Sequence, residues 1–144
     1  MKRGTLIYGE SNITQAVQEL YPLFEQCQVM TFTGTLGAGK TTLVQALLKK
    51  AGVKGPLQSP TFAYVNEYKD ASQRDIYHFD LYRLNSLDEF LSSGFDEYLS
   101  KGSHAKVLIE WPEIVMSLLQ KNVCHVCLDY EGIYKRRLTY VYYE

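Results

Sequence analysis

Residues 34–41 read Gly-Thr-Leu-Gly-Ala-Gly-Lys-Thr, and the spacing of Gly34, Gly39, Lys40 and Thr41 satisfies G-x-x-x-x-G-K-[ST]. Glycines at these places let backbone N–H groups wrap a phosphate chain with no side chain in between. The chemistry that follows is the grip of a nucleoside triphosphate. Lys40 is placed to reach the β and γ phosphates, and the Thr41 hydroxyl to help hold magnesium. A β-rich run, Val29-Met30-Thr31-Phe32-Thr33, precedes the loop, and strong helix formers from Thr42 to Lys50 follow it. Strand, glycine loop and helix in that order aim the positive helix end and its free amides at the phosphates.

A phosphate-bound magnesium also needs a carboxylate, usually at the end of a strand beside the loop. Two acids qualify: Glu110, after Val107-Leu108-Ile109, and Asp80, after Ile76-Tyr77-His78-Phe79. Glu110 fits the metal position better because its strand is the more apolar. Asp80 is then left to orient or deprotonate the attacking water, or to bind magnesium through water. Thr61, in Ser59-Pro60-Thr61-Phe62, falls where many phosphate-loop proteins sense the γ phosphate; a plain strand-entry turn is the alternative. Strand alternation puts His78 on the face of Asp80, either tuning that acid or acting as a core histidine.

The elements that must position these groups can be read from periodicity and punctuation. Gly4 to Tyr8 reads as a strand. Ser11 or Asn12 can cap a helix carrying Ile13, Ala16, Val17, Leu20 and Tyr21 on one face, with Pro22 ending or kinking it. Thr61 to Tyr68 and Asp75 to Asp80 read as an antiparallel hairpin around the polar segment Lys69 to Arg74. Two short helices, Ser86 to Leu91 and Phe95 to Leu99, are separated at Gly94. Ala105 to Ile109 is a buried-type strand, and Asn122 to Tyr130 with Lys135 to Tyr143 is a final hairpin. The sum predicts an α/β fold: a P-loop NTPase-like three-layer sandwich with a mixed, partly antiparallel sheet, in one domain over residues 1–144.

Composition bounds the function classes. The chain has 144 residues, 46% of them apolar, enough for one core, and a formal net charge of −1, so strong unaided binding to nucleic acid or anionic membrane is not expected. No apolar stretch approaches the roughly 18 residues that would span a bilayer. The N-terminus meets Glu10 before any long apolar region, so it does not read as a secretory signal, and the cytoplasm is the expected compartment. Cys124 and Cys127 have CxxC spacing but lack a second pair, and alternation puts them on opposite faces of a strand; with Cys27 they read as structural thiols. The basic run Lys135-Arg136-Arg137 is either a solvated strand end or a contact to phosphate or nucleic acid.

Taken together, GTLGAGKTT (34–42), SPTF (59–62), NEY (66–68), HFDLYRL (78–84) and IEWPE (109–113) resemble the bacterial TsaE family, also called YjeE. That resemblance runs from about Ile13 to Glu113 and weakens after about Leu118. It implies a cytoplasmic, magnesium-dependent ATPase needed to make N6-threonylcarbamoyladenosine on tRNA. The partners it implies are TsaD and TsaB, which transfer the threonylcarbamoyl group made by TsaC; tRNA is met only through that complex. By position, Gly37, Ala38, Gly39, Lys40, Thr41 and Thr42 would bind ATP and Thr41 with Glu110 the Mg2+. Lys40 and Asp80 would serve hydrolysis, and residues near Ser11 would contact the adenine. The family usually has aspartate where this chain has Thr35. Two other readings remain: a small-molecule kinase, for which no lid-like arginine cluster is visible, and a nucleotide-gated module that does not hydrolyse.

Overall fold

A computed structural model describes residues 1–60 and 63–144. The strands are β1 (Lys2–Gly9), β2 (Val29–Gly34), β3 (Val65–Lys69), β4 (Asp75–Asp80), β5 (Ala105–Glu110), β6 (Val123–Glu131) and β7 (Lys135–Tyr143); the helices are α1 (Ile13–Gln26), α2 (Lys40–Lys50) and α3 (Leu87–Ser92). They form one seven-stranded sheet of order β1-β7-β6-β2-β5-β4-β3. β2 is parallel to both its neighbours and β4 is parallel to β5, whereas β3, β7 and β1 are added antiparallel. The parallel strands therefore end at one edge of the sheet. Their carboxyl ends, with the phosphate loop after β2, create the crevice where open α/β sheets bind ligands.

Side-chain alternation divides the core into two layers. Met30, Phe32, Ile76, Leu108 and Cys124 face α1 and α2, against Leu20, Phe24, Leu43 and Leu47. Val29, Tyr77, Phe79, Val107 and Ile109 face the other way, against Phe90 of α3 and Val115 and Leu119. Two 3₁₀ segments, Phe95–His104 and Glu113–Leu118, complete that second layer. Phe79 stacks on Phe90 at 5.8 Å and on Phe95 at 5.6 Å. The expected three-layer sandwich with a mixed sheet is the fold observed.

Local departures from expectation have physical causes. Pro22 lies inside α1, which continues to Gln26. The ring removes an N–H that would have bonded the carbonyl of Gln18, at a cost of about 3 kcal/mol. Beyond it, however, lie Leu23 and Phe24, both buried, and burial of such side chains contributes about 1.5–3 kcal/mol each. Lys106 of β5 supports the same helix end, its ammonium donating to the carbonyls of Glu25, at 2.7 Å, and of Cys27. The expected helix at Phe95–Leu99 is instead part of the 3₁₀ segment, entered through Gly94 at φ 77°. Of the strand expected over 61–68, Val65–Lys69 is observed, and Thr61 and Phe62 lie outside the described residues. Cys124 is buried against α1 while Cys127 is partly exposed, on opposite faces as alternation requires. Among the described residues no helix is long and apolar enough to cross a membrane.

Candidate nucleotide site

The phosphate loop begins where β2 has nowhere to continue. Gly34 has φ 127°, and a Cβ there would lie 1.9 Å from the carbonyl oxygen of Leu128, so only glycine fits. The amide of Ala38 donates to the Thr35 carbonyl at 3.0 Å, closing the turn. Gly39 at φ 102° then swings the chain into α2. Lys40 turns back into the loop, its ammonium donating to the carbonyls of Gly34 and Thr35 at 2.9 Å each. It also lies 4.2 Å from the centroid of the Trp111 ring, a favourable cation–π placement. Burial lowers the Lys40 pKa, and the acids Glu110, Glu113 and Asp80 oppose that shift.

The carboxyl ends of β4 and β5 carry the acids. Asp80 and Glu110 are register partners on adjacent parallel strands. The Thr41 hydroxyl donates to Oε1 of Glu110 at 2.7 Å, and Nε2 of His78 lies 2.6 Å from Oε2. Both oxygens of a buried carboxylate are thus engaged. His78 therefore pairs directly with Glu110 and bears on Asp80 without a hydrogen bond, and its buried Nδ1 has no hydrogen-bond partner among the described residues. Asp80 is half-buried and accepts the amide of Tyr82 at 3.1 Å. Burial raises its pKa above the ordinary aspartate value, with Glu110 adding to the rise; the Tyr82 amide, His78 and Lys40 work against it. Trp111 follows Glu110 at φ 57°, a left-handed conformation that large side chains seldom adopt.

These groups surround a cavity of about 310 Å³, lined by Leu36, Lys40, Thr41, Asp80, Glu110 and Trp111 among others. A second cavity of about 270 Å³ lies across the loop, lined by Tyr8, Glu10, Ile13, Ala38 and Arg136. The two share Gly37, Gly39 and Thr42, so an elongated ligand can cross the loop from one to the other. The hard oxygens of Thr41 and Glu110, side by side in the first cavity, suit magnesium, which takes one or two carboxylates and completes its shell with phosphate and water.

The fold thus assembles Gly37, Ala38, Gly39, Lys40, Thr41, Thr42, Asp80 and Glu110. Ser11 is exposed in the 3₁₀ turn Glu10–Asn12, and the residues that line the second cavity there are Glu10 and Ile13. Thr61 lies outside the described residues. Sequence reasoning missed Tyr8, Tyr130 and the inward aim of Arg136. The last was readable: Arg136 has the strand parity of Leu138, Tyr140 and Tyr142, all packed toward α1 and α2.

The sequence model of the family described as "Threonylcarbamoyl adenosine biosynthesis protein TsaE" matches residues 7–138. The chain belongs to the TsaE family. The TsaE of Haemophilus influenzae is 40% identical over 106 residues, covering 74% of this chain and 65% of that protein, so the matched stretch spans just under two thirds of that relative. TsaE from Aquifex aeolicus is 34% identical over 131 residues, 90% of this chain and 86% of that one. Both carry the description "tRNA threonylcarbamoyladenosine biosynthesis protein TsaE". The crystal structure of Bacillus subtilis YdiB superposes with a TM-score of 0.69 at 25% identity, covering 96% of this chain and 84% of that one.

Proposed function

We propose that this TsaE-family chain is a cytoplasmic, magnesium-dependent ATPase that supports turnover of a TsaD–TsaB complex in forming N6-threonylcarbamoyladenosine on tRNA. One observation carries the reading. The Thr41 hydroxyl and the Glu110 carboxylate stand 2.7 Å apart in a cavity that the phosphate loop, Lys40 and Asp80 also line. A metal-holding pair, an anion-gripping loop and a separate acid in one cavity are the parts that phosphoryl transfer to water needs.

In this reading the loop amides and Lys40 take the triphosphate tail, and the nucleoside lies across the loop against Tyr8, Glu10 and Ile13. Lys40 exchanges the carbonyls of Gly34 and Thr35 for phosphate oxygens. Thr41 and Glu110 would hold Mg2+, which would supply positive charge to offset that of the phosphates. Asp80 accepts a hydrogen bond from the attacking water. As the water oxygen bonds to the γ phosphorus, the bond to the β–γ bridging oxygen breaks, leaving ADP and phosphate, and the water proton passes to Asp80. A carboxylate whose pKa is raised by burial is a better proton acceptor than a solvated one. Thr61 would sense the γ phosphate. With a net charge of −1, RNA capture falls to the partners.

The test is the ATPase rate of the purified chain, alone and with TsaD and TsaB. The expected result is slow hydrolysis alone and a clear increase with both partners. A rate indifferent to them, or a product in which phosphate has moved to a metabolite, would remove the proposal.

A further inference from the structure

The carbonyls of a phosphate loop need partners as its amides do: Lys40 takes those of Gly34 and Thr35 from within the loop, and those of Gly37 and Ala38 are left to donors outside it. Those donors come from the far end of the chain. The Tyr130 hydroxyl, at the end of β6, donates to the Gly37 carbonyl at 3.0 Å. The Nε–H of Arg136, at the start of β7, donates to the Ala38 carbonyl at 3.0 Å. The two donors support each other, since the guanidinium lies 4.4 Å from the centroid of the Tyr130 ring. Arg136 is in turn tethered by Glu10 at 2.6 Å and by the Lys135 carbonyl at 3.2 Å. Its side chain is 9% exposed, whereas that of Glu10 is 75% exposed.

We propose that Tyr130 and Arg136 form a latch, from the C-terminal hairpin, that holds the Gly37 and Ala38 carbonyls and so fixes the conformation of the phosphate loop, including the turn closed by the Ala38 amide on Thr35, before a polyphosphate binds. They are positioning residues for the phosphate grip. The proposal deepens the nucleotide reading above and rests on it. Both residues lie within the stretch 7–138 that the family model matches, but outside the sequence motifs around the phosphate loop, Asp80 and Glu110, and it is the fold that brings them to the loop. Arg136 is not a free cation for RNA: its guanidinium is spent on Ala38, Lys135, Glu10 and the Tyr130 ring.

The experiment is calorimetric titration of the full chain with ADP and, separately, with inorganic tripolyphosphate, which engages the loop without a nucleoside. Tyr130→Phe keeps the ring and its stacking while removing one partly exposed hydroxyl, and so leaves folding intact. Arg136→Lys keeps a positive charge near the phosphates but loses the Nε–H aimed at Ala38. The latch predicts that Tyr130→Phe weakens ADP and tripolyphosphate by the same factor, about three- to tenfold, as for loss of one hydrogen bond. It predicts that Arg136→Lys weakens both by about tenfold or more. In the double variant the loss should be smaller than the product of the two, because both act on one loop. Unchanged tripolyphosphate affinity in Tyr130→Phe would overturn the latch, as would wild-type affinity in Arg136→Lys, which would show that charge alone matters. A loss confined to ADP would also overturn it, placing the effect in the nucleoside cavity. Failure of the wild-type chain to bind either probe would overturn the nucleotide reading itself, which separates the two claims.

Discussion

Glu110 is the residue on which the site turns, because its two oxygens are divided between a group that opens to ligand and a group that does not. Oε1 meets Thr41 in the cavity, and Oε2 meets a histidine with no solvent exposure. Removing the histidine strands a buried carboxylate oxygen, so His78→Leu is expected to destabilise the fold by about 2–4 kcal/mol in urea denaturation. His78→Gln, which can still donate, should recover most of that loss; equal losses in both would deny the pairing its role. Asp80 behaves oppositely. Burial raises its pKa, so its charge is a burden to the folded state, and Asp80→Asn should melt no lower than wild type. The same change should cut ATP hydrolysis by about 100-fold or more, the usual scale for a lost general base, with ADP affinity held within about threefold. A full hydrolysis rate in Asp80→Asn would assign the chemistry elsewhere.

At the level of elements, the sequence was most legible where polar residues interrupt apolar runs. The glycine loop, Asp80 and Glu110 each end a strand, and the fold brings those ends to one edge. Local punctuation was less reliable where tertiary burial opposes it. Proline reads as a stop at position 22, yet the burial of Leu23 and Phe24 carries α1 onward. Pro22→Ala should therefore restore a helix hydrogen bond to the Gln18 carbonyl and raise stability by about 1 kcal/mol or more, checked by thermal or urea unfolding. A destabilised variant would mean that the ring's packing outweighs the missing bond. The two hairpins, β3 with β4 and β6 with β7, were legible, but partnerships between strands distant in sequence were not. Alternation placed His78 beside Asp80 on one strand, but the closer acid comes from the neighbouring strand, in a register that only pairing sets. The reach of Arg136 to a loop 98 positions earlier likewise depends on β6 lying beside β2 with β7 next to it.

Across the whole molecule, the sheet separates the nucleotide face from a second face that carries its own titration. His125 of β6 lies 2.6 Å from the Thr31 hydroxyl and 5.9 Å from the Tyr143 ring, and burial lowers its pKa below the ordinary histidine value of 6.5. The folded state thus resists a proton that the unfolded chain accepts. Its contribution to stability is full above pH 6.5 and is lost as the pH falls from there through the lower folded value. His125→Gln should flatten the fall of stability with acid in this range, measured as unfolding free energy against pH; an unaltered slope would exclude His125 as its source. The larger design is that α2, the phosphate loop, both acids and the C-terminal hairpin converge at one edge of the sheet, with Trp111 among the cavity-lining residues.

That tryptophan is the only one in the chain, and the Lys40 ammonium now over its ring must leave to meet a phosphate. The most direct measurement is therefore Trp111 fluorescence during titration with ATP, with and without Mg2+, in wild type and in Lys40→Ala. A saturable change that tightens with Mg2+ is expected in wild type, and little or none in Lys40→Ala. A wild-type signal that stays flat, with no heat of binding in calorimetry, would contradict the nucleotide reading.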